Sequence, residues 1–123
     1  MKILVTGSRT WTNWAIIERE LKRFPRGTIL VHGAARGADS IAAEIAKRLG
    51  FERRGFPADW DTYGNSAGPI RNSQMLAEEH PDVFDVPLDL GLAFTFDLER
   101  SKGTRDMVRK LRKARLPVEV FAS

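Results

Sequence analysis

The strongest constraint on this chain is an alternation, in which short β-rich runs take turns with longer stretches of helical period. The β-rich runs are "KILVT" from residue 2, "TILVH" from 28, "ERRGF" from 52, "LGLAFTF" from 90 and "PVEVF" from 117. The third carries enough charge to predict an edge strand, and the fourth little enough to predict a central one. Between them the spacing predicts helices over 12–24, 38–49 and 103–114, and one opened by Pro69 that ends before Pro81. Ile16, Ile17, Leu21 and Phe24 share one side of the first helix. Ile41, Ala42, Ile45 and Leu49 share one side of the second, which Gly50 closes. Residues 81–89 form the one irregular stretch.

Strand–helix alternation implies right-handed crossovers and a parallel sheet covered by helices on both faces. The expected fold class is therefore α/β, a doubly wound parallel five-stranded sheet ordered 3-2-1-4-5. A chain of 123 residues has the size of one domain, here 1–123. In that order the connections leave the first and fourth strands in opposite directions, and ligands bind in the crevice this opens.

The unusual residues fall where that crevice should be. After the first strand comes Gly7-Ser8-Arg9, after the second "GAARGAD" from Gly33 to Asp39, and after the fourth "ERSKGT", ending in Lys102, Gly103 and Thr104. Each segment lies between a strand end and a helix N-terminus, where free backbone N–H groups and the helix dipole favour an anion. Arg9, Arg36 and Lys102 add positive charge, and an arginine fork can hold two phosphate oxygens at once. The bland alternative is that any such turn needs small residues whatever it binds. The convergence of three loops favours a phosphate or ribose group.

A fourth element, "AGPIRN" at 67–72, follows an aromatic segment, "ADWDTYGNS". With Pro69 opening the helix, Arg71 and Asn72 fall in its first turn and can lean over the crevice. The competing reading pairs Arg71 with Asp59 or Asp61. Asp39 is expected to cap a helix N-terminus, with a ribose hydroxyl as its second role. Trp11, Trp60 and Tyr63 are candidates for base stacking, set against the commoner use of large aromatics in a core. His32 reads as a structural histidine at a strand end and His80 as surface. The last helix carries Arg105, Arg109, Lys110, Arg112, Lys113 and Arg115, a pattern of a solvated face, with a nucleic-acid surface as the sharper alternative.

Composition removes several function classes. There is no cysteine, hence no disulfide framework, cysteine–zinc site or thiol nucleophile. The two histidines are far apart in sequence, so no metal site is expected, and no cofactor is predicted. No run has the length needed to cross a bilayer, and the N-terminus turns polar too soon for a signal peptide. The expectation is a cytoplasmic protein without membrane contact. The net charge of +4 permits an anionic partner without demanding one.

Taken in order and spacing, "GSR", "HGAARGAD", "PADW…YG…AGPIRN" and "KGTRDMV" resemble the YspA-like family of the SLOG superfamily across nearly the whole chain. The resemblance implies a Rossmann-like fold and a nucleotide or nucleotide-derived ligand. Its relatives include the LOG phosphoribohydrolases, the single-stranded-DNA binder DprA, and sensor domains for nucleotide signals in prokaryotic and phage conflict systems. Carried onto this sequence, it implies ligand contacts at Gly7, Ser8, Arg9, Gly33, Arg36, Gly37, Asp39, Gly68, Arg71, Asn72, Gly103 and Thr104. Relatives often dimerise, so a homodimer is an expectation of the resemblance alone.

The LOG enzymes carry a P-G-G-x-G-T-x-x-E loop. Here "ERSK" replaces its leading glycines, and Met107 stands at the glutamate position. Asp106 lies one residue earlier, about 100° round the helix. Many relatives also join the fourth strand more directly to its preceding helix, so "VFDVPLDLG" reads as an addition. The leading expectation is a domain that senses or sequesters a nucleoside phosphate or ADP-ribose-class ligand. The alternatives are a LOG-like N-glycosidic phosphoribohydrolase, with Arg71, Asp106 and Asp39 as candidate catalytic residues, and a DprA-like binder of single-stranded DNA.

Overall fold

A computed structural model describes residues 1–80 and 87–122. Most of the irregular stretch at 81–89, and with it the first four residues of the added segment "VFDVPLDLG", lies outside the described residues. The strands are β1 (Lys2–Gly7), β2 (Ile29–His32), β3 (Glu52–Gly55), β4 (Leu90–Phe94) and β5 (Val118–Phe121). They form one parallel sheet in the order β3-β2-β1-β4-β5, the doubly wound arrangement that the alternation predicts. The helices are α1 (Trp14–Leu21), α2 (Ala38–Arg48), the short α3 (Trp60–Tyr63), α4 (Ala67–Glu79) and α5 (Lys102–Lys113).

The two faces of β1 show why this sheet needs helices on both sides. Ile3 and Val5 point into one core with Ile17 and Leu21 of α1 and Ile41 and Ile45 of α2. Leu4, between them, points into the other, with Met75 of α4 and Met107 and Leu111 of α5. A strand buried on both faces reads as an unbroken apolar run, which is what "ILV" in β1 is. Met107, which the resemblance sets at the position of the LOG glutamate, is a fully buried core residue.

At the end of the sheet away from the crevice, Glu79 of α4 is buried between two cations. It sits 3.2 Å from the fully buried Lys2 ammonium of β1 and 2.9 Å from the Arg54 guanidinium of β3. This pairing fastens the C-terminus of α4 to the sheet, so the opposite end of the same helix is held at the crevice.

Two boundaries differ from the sequence expectation in ways that matter to the site. The helix α4 begins at Ala67, so Pro69 is its third residue and not its first. The first turn has no intrahelical acceptors for its N–H groups, and proline is accommodated there as well. Arg71 and Asn72 consequently move to the second turn. The segment before α4 is not a plain linker: it folds as α3 and a 3-10 turn (Gly64–Ser66), with the Asp59 side chain accepting from the Thr62 N–H at 3.1 Å.

Candidate functional site

The carboxyl ends of β1, β2 and β4 meet the first turns of α4 and α5 around a cavity of about 490 Å³. Its wall includes Gly7, Ser8, Arg9, Gly33, Asp39, Gly68, Arg71, Asn72, Lys102, Gly103 and Thr104, which the sequence reading singled out. Arg36 instead lines an adjoining cavity of about 290 Å³, which shares Arg9, Gly33, Trp60 and Arg71 with the larger one.

Gly37 lines neither. It precedes α2 with φ of +71°, a conformation that L side chains rarely adopt, and a Cβ there would strike the backbone of Ser8 and Arg9. The following N–H, of Ala38, donates to the Ser8 carbonyl at 3.1 Å. Gly37 therefore joins two loops and supplies no ligand surface of its own. Gly7 has a related role, since a Cβ on it would meet the Phe94 carbonyl and the Ala38 side chain.

Arg71 is the centre of the arrangement. Its side chain reaches from α4 across the end of β2, donating through Nη1 to the Gly33 and Phe56 carbonyls and through Nε to Asn72 Oδ1 at 3.0 Å. Neither Asp59 nor Asp61 pairs with it among the described residues. The Nη2 group has no protein partner among those residues, and Arg71 lines both cavities. Burial lowers its pKa and so does the nearby Arg9 charge, while Asp39 pulls the other way.

Asp39 does not cap α2. Its Oδ2 turns back to accept from the N–H groups of Gly33 at 2.9 Å and Ala35 at 3.4 Å. Two of the loop donors that the sequence offered to a phosphate are thus already engaged by the chain itself. Its Oδ1 is buried with no hydrogen-bond partner among the described residues. Burial pushes the Asp39 carboxyl up to about 6, against the opposing effects of the Ala35 N–H, Arg71, the Gly33 N–H and Arg9.

Asn72 carries the arrangement on to α5. Its Nδ2 donates to the Gly103 carbonyl at 3.3 Å and to Asp106 Oδ2 at 3.1 Å. Asp106 also accepts from Lys110 at 2.7 Å and Arg109 at 3.0 Å, and it does not line the cavity. Burial alone would raise its pKa, but hydrogen bonds from Lys110 and Asn72 and the charges of Lys110 and Arg109 leave it lowered. As a catalytic candidate Asp106 is thus displaced from the site, and its geometry is that of a clamp between α4 and α5.

At the start of α5, Ser101 does not cap the helix through its side chain, which bonds instead to the Thr95 hydroxyl. Lys102 follows with no ion pair among the described residues, and a Cβ at Gly103 would meet open space. Cavity residues that the sequence reading passed over include Thr10, whose hydroxyl lies 2.9 Å from that of Ser8, and Asn65, Arg100 and Ser101. Arg100 and Ser101 stood inside the quoted "ERSKGT", so their signal was the loop itself. Among the aromatics, Trp60 is half exposed, lines both cavities and carries the Arg9 guanidinium 4.9 Å from its ring centroid. Trp11 belongs to the core against Phe94 and Phe96, and Tyr63 lines neither cavity. His32, lowered in pKa first by burial and then by Arg53 and Arg71, accepts the Ala34 N–H at Nδ1.

No helix among the described residues is long and apolar enough to cross a membrane. Among the described residues, the wall of the larger cavity holds four cationic side chains, Arg9, Arg71, Arg100 and Lys102, against the single carboxylate of Asp39. That imbalance, at a sheet's topological switch point, suits an anionic small molecule.

Comparison with known proteins agrees with this architecture. The family model described as "YspA, cpYpsA-related SLOG family" matches residues 1–63, which contain the Gly7-Ser8-Arg9 and Gly33–Asp39 segments. The Gene 61 protein of Mycobacterium phage D29 is 38% identical over 131 aligned positions, covering 98% of this chain and 95% of that protein. No solved structure matches the chain. A family model over half of the sequence and a relative aligned along nearly all of it lead to one conclusion: the chain belongs to the YspA, cpYpsA-related SLOG family.

Proposed function

We propose that this protein binds a nucleotide or nucleotide-derived ligand in the crevice between β1 and β4, acting as a sensing or sequestering domain. The observation that carries this reading is the gathering of Arg9, Arg71 and Lys102 around one cavity whose only carboxylate among the described residues is Asp39. The phosphate lies against the free Nη2 of Arg71, with Arg9 and Lys102 adding charge from the neighbouring loops. The orphan Oδ1 of Asp39 is an acceptor that a ribose hydroxyl can satisfy. The half-exposed Trp60 ring offers a surface for the base.

Binding is favoured over glycosidic cleavage because Asp106 is held away from the cavity and the position of the LOG glutamate is filled by core Met107. A thermal-shift panel of nucleoside mono-, di- and cyclic phosphates, ADP-ribose and NAD tests the reading. One compound class is expected to raise the melting temperature, since a ligand that binds only the folded state stabilises it. The increment should vanish in Arg71→Ala. A flat response of the wild-type protein across the panel would remove the reading.

A further inference from the structure

The wall formed by Arg9, Trp60 and Arg71 has open space on both sides. Beyond it lies the cavity of about 290 Å³, to which Arg36, Pro57 and Ala58 are added. Among the described residues its lining holds three arginines and no acidic residue. Arg9 and Arg36 form no ion pair among the described residues, although Asp59 and Asp61 flank the cavity residue Trp60 in the sequence. Arg71 spends its protein hydrogen bonds on two carbonyls and an amide oxygen, none of them a carboxylate. Three guanidinium groups around one hollow repel one another; Asp39 offsets this in part for Arg71 and Arg9, and an anion with several oxygens in the hollow would relieve the rest. A single phosphate against Arg71 in the larger cavity leaves Arg36 without a role.

We propose that the outer cavity is a second phosphate subsite, so that the ligand is a nucleotide with a diphosphate or longer chain crossing Arg9 and Arg71 toward Arg36. This rests on the nucleotide-binding reading and narrows it. The nucleoside and first phosphate occupy the larger cavity, and the next phosphate enters the three-arginine hollow. The shared chemistry is a diphosphate, whether part of a nucleotide or free inorganic pyrophosphate.

Titration calorimetry on the full chain separates these cases, using the mono- and diphosphates of adenosine, guanosine, cytidine and uridine, and inorganic pyrophosphate. For the preferred base, the diphosphate should bind roughly tenfold or more tightly than the monophosphate, and more tightly than pyrophosphate alone. In Arg36→Ala the ratio of diphosphate to monophosphate affinity should fall toward one. Arg36 is exposed and makes no ion pair among the described residues, so an unchanged melting temperature confirms that the variant is folded.

Equal affinities for mono- and diphosphates in the wild-type protein would overturn the second subsite while leaving nucleotide binding in place. A ratio unaltered by Arg36→Ala would overturn it too. Pyrophosphate binding as tightly as the nucleoside diphosphate would overturn the assignment to a nucleotide. No binding of any of these compounds would instead remove the underlying reading.

Discussion

The Arg71 guanidinium lies against the backbone of Gly33 so closely that a Cβ on residue 33 would be 2.6 Å from Nη1 and 2.7 Å from Cζ. Glycine at 33 is therefore explained by the arginine crossing over it, a residue 38 positions later in the chain. Gly33→Ala is expected to push the flexible arginine aside, cost about 1–3 kcal/mol in urea denaturation, and remove most of the ligand-induced rise in melting temperature. Gly7→Ala is a contrasting case, because the added carbon meets backbone and a packed methyl group that cannot swing away. It should destabilise at least as much as Gly33→Ala.

Asp39 predicts a pH dependence of unusual sign. Its carboxyl is raised to about 6 in the folded protein, from a usual value of 3.8, chiefly by burial. Between those values the folded state holds more protons than the unfolded state, so this group makes stability fall as pH rises from about 4 to about 6. The full penalty, on the order of 3 kcal/mol, is present above about pH 6. Asp39→Asn keeps an oxygen for the Gly33 and Ala35 N–H groups and removes the charge. The stability difference between Asp39→Asn and wild type should increase over this range, read from urea midpoints at successive pH values.

Asp106 predicts the opposite pH trend. Hydrogen bonds from Lys110 and Asn72 overcome its burial and lower its pKa, so its stabilisation is present above the usual carboxylate value and lost as pH falls through the lowered one. Asp106→Ala should cost about 1–2 kcal/mol near pH 7, from the lost hydrogen bond to Asn72 across α4 and α5 and the one to Lys110 within α5. If the variant lost no stability, the clamp would be disproved.

Trp60 is the one aromatic lining either cavity among the described residues. Ligand should change the intrinsic fluorescence of the wild-type protein, and Trp60→Phe should abolish most of that change. Trp60→Ala should weaken binding by about 1–3 kcal/mol through the lost stacking surface. Buried Trp11 cannot contribute in the same way, since it packs inside the core.

The sheet order was legible because strands and helices alternate along the chain, and the two apolar faces of β1 show why the sheet must be covered on both sides. The loops of the crevice were legible from their glycines and cations. The partners of Arg71 and Asp39 were not. Starting α4 two residues before Pro69 rotates Arg71 into the second turn and sends it over Gly33. Asp39 turns away from its own helix because Ala34, at φ of +54°, and Gly37 bend the loop so that the Gly33 and Ala35 N–H groups face it. Such contacts depend on loop curvature, and residue spacing does not encode that. Trp60 was legible as a candidate, but only the fold of 60–66 as a short helix and turn shows that it faces the crevice.

The most direct measurement is a map of backbone amide and indole NMR shifts during titration with the nucleotide that stabilises the protein most. The largest changes are expected at Ser8, Arg9, Gly33, Gly103, Thr104 and the Trp60 indole, which line the crevice. Changes confined to the exposed outer face of α5, around Arg105, Arg112 and Lys113, would contradict that expectation and place the ligand elsewhere.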